Sequence, residues 1–150
     1  MKKADLPVKP HDSTVFQWLA KSYHTAANAF EQATNVSAAR WRLLFIVDRQ
    51  KSCTQKFLIS QVQVDAGSIT RQLKMLESEG LIHRENDPAD ARLTRVSLTA
   101  EGKAYVKDIY KRRAAFLERM LAGIPQKDLE VLVRSFERIN SNLGDTTPLP

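Results

Sequence analysis

Apolar residues recur along most of the chain at steps of three and four, the spacing that gathers side chains on one face of an α-helix. The clearest case is a stripe of Ile69, Leu73 and Leu76, opposite which the residues are polar. Asp65 before this stripe is a common helix-capping residue, and Gly80 after it is the residue type that ends helices in a left-handed conformation. The pattern therefore predicts a helix between Asp65 and Gly80 that buries one face and exposes a polar one.

Two further patterns flank this helix. Apolar residues within 57–62 predict a short helix before it, and 63–65 would form the turn between the two. After the helix, the short β-prone runs 81–84 and 94–98 surround the turn-rich segment 86–92. A helix-turn-helix followed by such a hairpin is a winged helix.

The part of the chain before this unit contains four segments. The segment 1–11 has two prolines and no periodicity and is predicted to be a mobile arm, whereas 12–36 has apolar residues at helical steps. Ser37 then caps a second helix that is apolar enough to be buried on most of its surface, and we interpret Trp41 as part of the core. The segment 48–54 is a polar connection, at the place where many winged helices carry a short strand.

Two more helices are predicted after the hairpin. Thr99 is placed to cap a long helix that runs to about Ala122, and Pro125 suits the first position of the next helix. The apolar residues of this last helix step by 3-4-3-4, the pattern of a two-heptad seam; they are Leu129, Leu132, Phe136, Ile139 and Leu143. Such a seam outside the winged unit favours pairing with a second copy. The segment 144–150 is predicted to be a frayed tail.

Composition limits the classes of protein to which the chain can belong. With 150 residues, 43% hydrophobic and 27% charged, it has the size and balance of one globular domain. Its apolar runs fall short of the roughly 20 residues that a membrane span needs, and no apolar stretch follows Met1, so we expect a cytoplasmic protein. The single cysteine, Cys53, excludes a disulfide framework and a thiolate-only metal site. We expect no metal and no other cofactor.

Signatures of catalysis are missing from the sequence. His11, His24 and His83 are scattered, and there is no Gly-rich phosphate loop and no Gly-x-Ser-x-Gly motif. No pair of carboxylates stands beside a nucleophile or a base. We therefore expect no catalytic residues and a protein that is not an enzyme.

The formal net charge of +6 suits a nucleic-acid partner, but its placement matters more than its size. The segment 49–95 holds eight lysines and arginines against six aspartates and glutamates, so the winged unit itself carries only a small excess. The polar face of the helix after Asp65 holds the donors that reach phosphates and base edges. We expect Ser68, Thr70, Arg71 and Gln72 to face base edges or nearby phosphates, and Lys74, Arg84 and Arg95 to hold the DNA backbone.

Three short motifs make the chain resemble a known family. They are the Gly80-Leu81-Ile82 join, the Asp90-x-Arg92 motif at the tip of the wing and the closing Leu98-Thr99-x-x-Gly102. In these the chain resembles the multiple-antibiotic-resistance regulator (MarR) family of bacterial transcription factors, from about residue 12 to residue 143. The resemblance implies that Arg92 enters the minor groove of double-stranded DNA and that Asp90 orients it.

The resemblance also implies an architecture and an assembly. The fold would be mainly α with a small β-wing: a winged helix-turn-helix over 37–100, flanked by an N-terminal dimerisation helix at 12–36 and C-terminal dimerisation helices at 101–143. In a two-fold dimer the two recognition helices enter successive major grooves, which predicts a pseudo-palindromic operator with half-sites roughly 10 bp apart.

Members of this family commonly repress transcription until a small molecule, often phenolic or an aromatic carboxylate, binds between the dimer helices and the winged domains. The resemblance therefore implies a repressor released by such an effector. A ligand can do this only if it prefers a spacing of the recognition helices that does not match DNA. The candidate pocket residues are Trp18, His24, Arg42 and Tyr105.

Two alternatives stay open. The first is a redox-sensing regulator that works through Cys53, whose pKa the neighbouring Lys51 and Lys56 would lower. The second is a winged helix that serves only as a protein-interaction module. Such a module has no need of a polar recognition face together with Asp90-x-Arg92, so the sequence favours DNA binding.

Overall fold

The computed structural model describes residues 14–62 and 65–145, within which the chain forms six helices and three strands. In chain order these are α1 (Thr14–Thr34), α2 (Ala38–Gln50), β1 (Ser52–Thr54), α3 (Gln55–Gln61), α4 (Ala66–Ser78), β2 (Ile82–Asn86), β3 (Thr94–Leu98), α5 (Ala100–Leu121) and α6 (Gln126–Asn142). The mainly helical fold with a small β-wing is therefore confirmed. The predicted arm at 1–11, most of the predicted turn at 63–65 and most of the tail lie outside the described residues.

The three strands form one antiparallel sheet in the order β1-β3-β2. The hairpin of β2 and β3 pairs from Ile82 opposite Leu98 out to the wing, and β1 adds to the other edge of β3 with Cys53 opposite Val96. The segment 48–54, which the sequence indicated as a polar connection, is thus mostly regular secondary structure. Helix α2 continues to Gln50, and β1 begins at Ser52.

The hydrophobic core lies between α2, the helix-turn-helix, the sheet and the first half of α5. Helix α2 buries neighbouring positions on most of its surface, as its apolar sequence predicts, and α4 buries the predicted stripe of Ile69, Leu73 and Leu76. The buried cluster consists of Val36, Leu43, Leu44, Ile46, Val47, Cys53, Leu58, Val62, Ile69, Leu73, Leu76, Ile82, Val96, Leu98, Val106 and Ile109. Removing these side chains from water is the main force that holds the winged unit together.

An aromatic cluster of Phe30, Trp41, Phe45, Tyr110 and Phe116 attaches α1 to this core. Phe30 meets Phe116 edge to face, with ring centroids 5.6 Å apart, and Trp41 meets Tyr110 in the same way at 5.1 Å. Edge-to-face pairs of this kind stabilise a fold beyond the burial of their area. Trp41 is packed against the core, which confirms its interpretation from the sequence.

The predicted ends of the helices are present in the structure. The Asp65 side chain accepts a hydrogen bond from the Ser68 N–H at 2.8 Å, and Gly80 has a φ of +72°, the left-handed conformation expected after α4. The Thr99 hydroxyl accepts from the N–H of Gly102 at 2.9 Å and so caps α5. Pro125 precedes α6, which begins one residue later than predicted.

Helix α5 is joined to the end of the recognition helix α4 by close backbone contacts, which we call the 80–102 join (Gly80, Leu81, Thr99 and Gly102). Thr99 donates from its N–H to the Leu81 carbonyl at 3.1 Å and from its hydroxyl to the Gly80 carbonyl at 2.6 Å. Gly102 faces the same Leu81 carbonyl so closely that a Cβ there would overlap the oxygen and lie 2.9 Å from the carbonyl carbon. The join therefore requires glycine at position 102.

Large apolar side chains stay exposed on the helices that flank the winged unit. In α6 no residue is buried, and Leu132, Phe136 and Leu143 are exposed along the predicted seam. In α1, Phe16 and Tyr23 are likewise exposed. We call these surfaces the terminal apolar faces. No helix within 14–62 or 65–145 is long and apolar enough to cross a membrane.

Candidate nucleic-acid interface

The outer face of α4 is open to solvent and carries unpaired positive charge. Arg71 and Lys74 are exposed, and neither makes a hydrogen bond or an ion pair with another residue that the structure describes. Ser68 and Gln72 are half-buried on the flanks of the same face. Four of the predicted DNA-contacting residues therefore lie together on one surface of the recognition helix.

Thr70, the fifth predicted residue of α4, is engaged inside the helix-turn-helix. Its hydroxyl accepts a hydrogen bond from Nε2 of Gln55 in α3 at 2.9 Å and donates to the Ala66 carbonyl at 2.9 Å. The contact with Gln55 holds α4 against α3. In this structure Thr70 positions the recognition helix, and Gln55 is its partner, which the sequence alone did not single out.

The tip of the wing presents an arginine that is held at its base. The guanidinium of Arg92 donates from Nε to Oδ1 of Asp90 at 3.0 Å and from Nη2 to Oδ2 at 3.1 Å. The backbone N–H of Arg92 donates to the same carboxylate at 3.0 Å. The hydrogen bonds from Arg92 lower the pKa of Asp90, so this carboxylate stays ionised. The Arg92 side chain is 90% exposed, so it projects from the wing while Asp90 holds its guanidinium.

Arg95, which we expected to hold the DNA backbone, is paired inside the wing. Its Nη1 donates to Oδ2 of Asp87 at 3.1 Å, and its Nε donates to the hydroxyl of Ser52 in β1 at 3.3 Å. The Asp87 side chain is only 11% exposed. Arg95 thus connects the base of the wing loop to the far strand of the sheet.

Arg84, the other predicted backbone contact on the wing, also has a partner within the chain. Its Nε donates to the carboxylate of Glu77 in the last turn of α4 at 2.9 Å. Arg40 in α2 forms a two-pronged ion pair with Glu79 just beyond α4, and these hydrogen bonds lower the pKa of Glu79. Two arginines therefore neutralise the acidic end of the recognition helix.

These ion pairs decide where positive charge is available in the winged unit. Four of the six anions in 49–95 form ion pairs with arginines, namely Glu77, Glu79, Asp87 and Asp90, whereas Asp65 caps α4 and Glu85 lies beside His83. The lysines and arginines without such a partner in the described residues of this segment include Lys56, Arg71 and Lys74 on α3 and α4. Three of the cations without an ion-pair partner therefore lie on the helix-turn-helix.

The fold agrees with comparisons to known proteins. The sequence model of the MarR family matches residues 36–94, which cover α2, the helix-turn-helix and the wing up to the first residue of β3. The uncharacterised HTH-type transcriptional regulator YdgJ of Bacillus subtilis is 31% identical over 116 residues, which cover 77% of this chain and 71% of YdgJ. The chain belongs to the MarR family.

Solved MarR-family structures share the fold of this protein. A mutant MarR from E. coli, solved in complex with operator DNA, has a TM-score of 0.79 at 18% identity and covers 84% of this chain and 93% of its own. BpsR of Bordetella bronchiseptica, whose DNA binding is regulated by 6-hydroxynicotinic acid, has a TM-score of 0.76 at 20% identity and covers 85% of this chain and 98% of its own. At these identities the similarity establishes the fold, and the protein is a MarR-family transcriptional regulator by its sequence.

Two residues of the surface were not among the predicted contacts of this MarR-family protein. Met75 is exposed on α4 one turn after Arg71, and Lys56 is exposed on α3. An apolar residue on an otherwise polar helix face is the sequence signal that Met75 offered. Apolar side chains in a major groove contact the methyl group of thymine.

The structure contradicts the expectation that Cys53 has a lowered pKa. Cys53 lies on β1 with its side chain in the core, opposite Val96, and only 6% of the residue is exposed. Burial raises the pKa of the thiol to about 11 and outweighs the opposite effect of Arg95. Lys51 and Lys56 are close in sequence but do not set its environment. The premise of redox sensing through this residue is therefore wrong.

The four predicted effector contacts are distributed over three helices. Trp18 and His24 are exposed on α1, Nη2 of Arg42 donates to the Gln61 carbonyl at 3.0 Å, and Tyr105 packs against the core from α5. A cavity of about 190 Å³ between α2, β3 and α5 is lined by other residues. The effector site of this MarR-family protein remains a prediction.

Proposed function

We propose that this MarR-family regulator binds a pseudo-palindromic operator as a homodimer and represses transcription until a small aromatic or phenolic molecule releases it. In each copy α4 would lie in the major groove and the wing would follow the adjacent minor groove. The observation that carries this proposal is the exposed Arg92, held by Asp90, on the same unit as the unpaired Arg71 and Lys74.

The chemistry of the outer face of α4 supports direct reading of base edges. Arginine donates two hydrogen bonds to guanine, glutamine pairs with adenine in the same two-pronged way, and serine accepts or donates at several bases. We assign these roles to Arg71, Gln72 and Ser68, and a phosphate contact to Lys74. Arg92 would read the width and potential of the minor groove more than base identity.

The terminal apolar faces support a homodimer. One short recognition helix makes few base contacts, so specificity is commonly gained by doubling it across a two-fold axis. Contiguous apolar surface on a soluble chain marks an interaction site. Helix α6 buries no residue within its own chain, although its apolar residues follow a heptad seam. A second copy of the chain would cover that seam.

The proposed chemical class of the effector is inferred from the MarR family. Repression relieved by a ligand is typical of MarR regulators, and 6-hydroxynicotinic acid, which regulates BpsR, is an aromatic acid. The proposed contacts lie on three helices: Trp18 and His24 on α1, Arg42 on α2 and Tyr105 on α5. A ligand bound there would act by favouring a spacing of the two recognition helices that does not fit DNA.

Selection of bound duplexes from a random pool at physiological salt tests the proposed DNA recognition. We expect a pseudo-palindrome with half-sites roughly 10 bp apart. On the selected operator, Arg92→Ala should weaken binding by about 1 to 3 kcal/mol and flatten the preference for A·T-rich flanks, because the tip arginine would be lost from the minor groove. Arg138→Ala, which removes an exposed arginine of α6, is the matched control and should bind like wild type.

Either of two results would contradict this expectation. Weak, salt-sensitive binding without sequence preference would mean that the basic charge is generic, and a protein-interaction module would become the better function. Operator affinity that Arg92→Ala leaves unchanged would remove the wing from DNA recognition.

Arg71→Ala should weaken operator binding by about 1 to 3 kcal/mol while leaving the fold intact. The reason is that Arg71 has no hydrogen-bonding partner among the described residues, so its loss removes no hydrogen bond or ion pair within them. Fluorescence anisotropy measures the affinity, and thermal unfolding measures the stability of the same preparation. A variant with a clearly lower melting temperature than Arg138→Ala would show instead that Arg71 is structural.

A further inference from the structure

The loop of the wing is held at its base by the largely buried carboxylate of Asp87. Oδ1 of Asp87 accepts hydrogen bonds from the backbone N–H groups of Ala89 at 2.8 Å and Asp90 at 3.2 Å. Oδ2 accepts from Nη1 of Arg95 at 3.1 Å. Asp90 in turn holds the guanidinium of Arg92. The orientation of the tip arginine therefore depends on Asp87 through the hydrogen bond between Asp87 and Asp90 and those between Asp90 and Arg92.

Arg95 carries the same network across the sheet. Arg95 lies on the central strand β3, where it pairs with Glu85 of β2 on one side and with Thr54 of β1 on the other. Its Nε donates to the hydroxyl of Ser52, at the start of β1. Arg95 therefore links the wing loop to the strand that leads into the helix-turn-helix.

From β1 the connection reaches the recognition helix within a few residues. The hydroxyl of Thr54 caps α3 by accepting from the N–H of Phe57 at 3.1 Å. The next residue, Gln55, donates to Thr70 of α4. A chain of hydrogen bonds and one short strand thus connects the wing tip to the helix that carries Arg71.

We propose that Asp87 and Arg95 are positioning residues that fix Arg92 at a set distance and angle from α4, and so determine the preference for sequences flanking the operator without touching DNA. The proposal rests on the proposed function and assigns a specificity determinant to the same site. It replaces our expectation that Arg95 binds a phosphate. The charge of Arg95 is compensated by Asp87, and its Nε and Nη1 are already used within the wing.

A double-mutant cycle separates positioning from direct contact. In the wild-type background, Arg95→Met should weaken operator binding about 10-fold and flatten the flanking preference, as Arg92→Ala does. In the Arg92→Ala background, Arg95→Met should have less than about 2-fold further effect, because the residue to be positioned is gone. In this background, Arg95→Met should also leave the salt dependence of operator binding unchanged. A phosphate contact by Arg95 would instead lower the slope of log affinity against log salt concentration by about one further unit.

Three further variants test the geometry rather than the charge. Arg95→Lys keeps the positive charge but cannot donate to Asp87 and Ser52 in the same forked arrangement, so it should restore only part of the flanking preference. Asp87→Asn keeps the Oδ1 acceptor and should have a milder effect than Asp87→Ala. Hydrogen exchange at the amides of Ala89 and Asp90 should become faster in Asp87→Ala, and thermal unfolding checks that each variant is folded.

The outcomes distinguish this inference from the proposed function. Additive losses in the cycle, or full recovery by Arg95→Lys, would overturn the positioning role while the wild type still binds its operator specifically. A wild-type protein without sequence preference would overturn the proposed function and this inference with it. Non-additive losses with partial recovery by lysine would establish the positioning role.

Discussion

Replacing Phe136 with glutamate is expected to turn the proposed dimer into monomers and to lower operator affinity by about 100-fold or more. Phe136 lies in the middle of the heptad seam of α6, which is exposed in the single chain. In a dimer this seam would be buried, and an unpaired charge buried there costs several kcal/mol. A monomer holds only one half-site, so most of the affinity is lost with the partner. Light scattering and operator binding measure both effects.

Ser141→Glu is the matched control for this substitution. Both changes add one negative charge to α6, but at about 100° per residue Ser141 lies on the side of the helix opposite the seam. It should leave the mass of the assembly unchanged and should alter operator affinity only slightly. A dimer that survives Phe136→Glu would show that α6 does not form the interface.

Gly102→Ala is expected to lower the free energy of unfolding by at least about 3 kcal/mol, even though alanine is the better helix former. The added Cβ would overlap the carbonyl oxygen of Leu81, and neither backbone can retreat without breaking the hydrogen bonds of Thr99. For a chain of this size the melting temperature should fall by roughly 6 to 12 °C. Chemical denaturation and thermal unfolding measure the loss.

Gly67→Ala provides the control at a second helical glycine. There the Cβ would lie 3.2 Å from Oδ1 of Asp65, an atom of a side chain that can shift. The gain in helix propensity is about 1 kcal/mol, so we expect a change in stability within about 1 kcal/mol of zero. If Gly102→Ala were as stable as Gly67→Ala, the 80–102 join would be looser than the structure describes.

The features that could be predicted from the sequence are those made by residues close together in the chain. Asp65 caps α4 by accepting a hydrogen bond from the residue three positions later, and Thr99 caps α5 in the same way. Gly80 comes directly after the end of α4 in the left-handed conformation. The pairing of Asp90 with Arg92 spans two residues and was implied by the motif. Local hydrogen bonds of this kind depend little on the rest of the fold.

The partners of charged and buried groups could not be predicted because they come from other elements. Arg95 has no carboxylate nearby in sequence on the correct face, and the hairpin brings Asp87 to it. Arg40 meets Glu79 across 39 residues. Cys53 is flanked by polar residues in the chain, yet the alternation of β1 turns it into the core. Such contacts follow from tertiary packing, which single-sequence patterns do not contain.

Because one of its ends is locked to α4 by the 80–102 join, helix α5 would pass any movement of its far end on to α4. Its 22 residues extend over about 33 Å at about 1.5 Å per residue. A tilt of about 5° about its far end would displace the near end by about 3 Å, close to the rise of about 3.4 Å between successive bases. A small rotation at the distant end of α5 would thereby shift the recognition helix by about one base step.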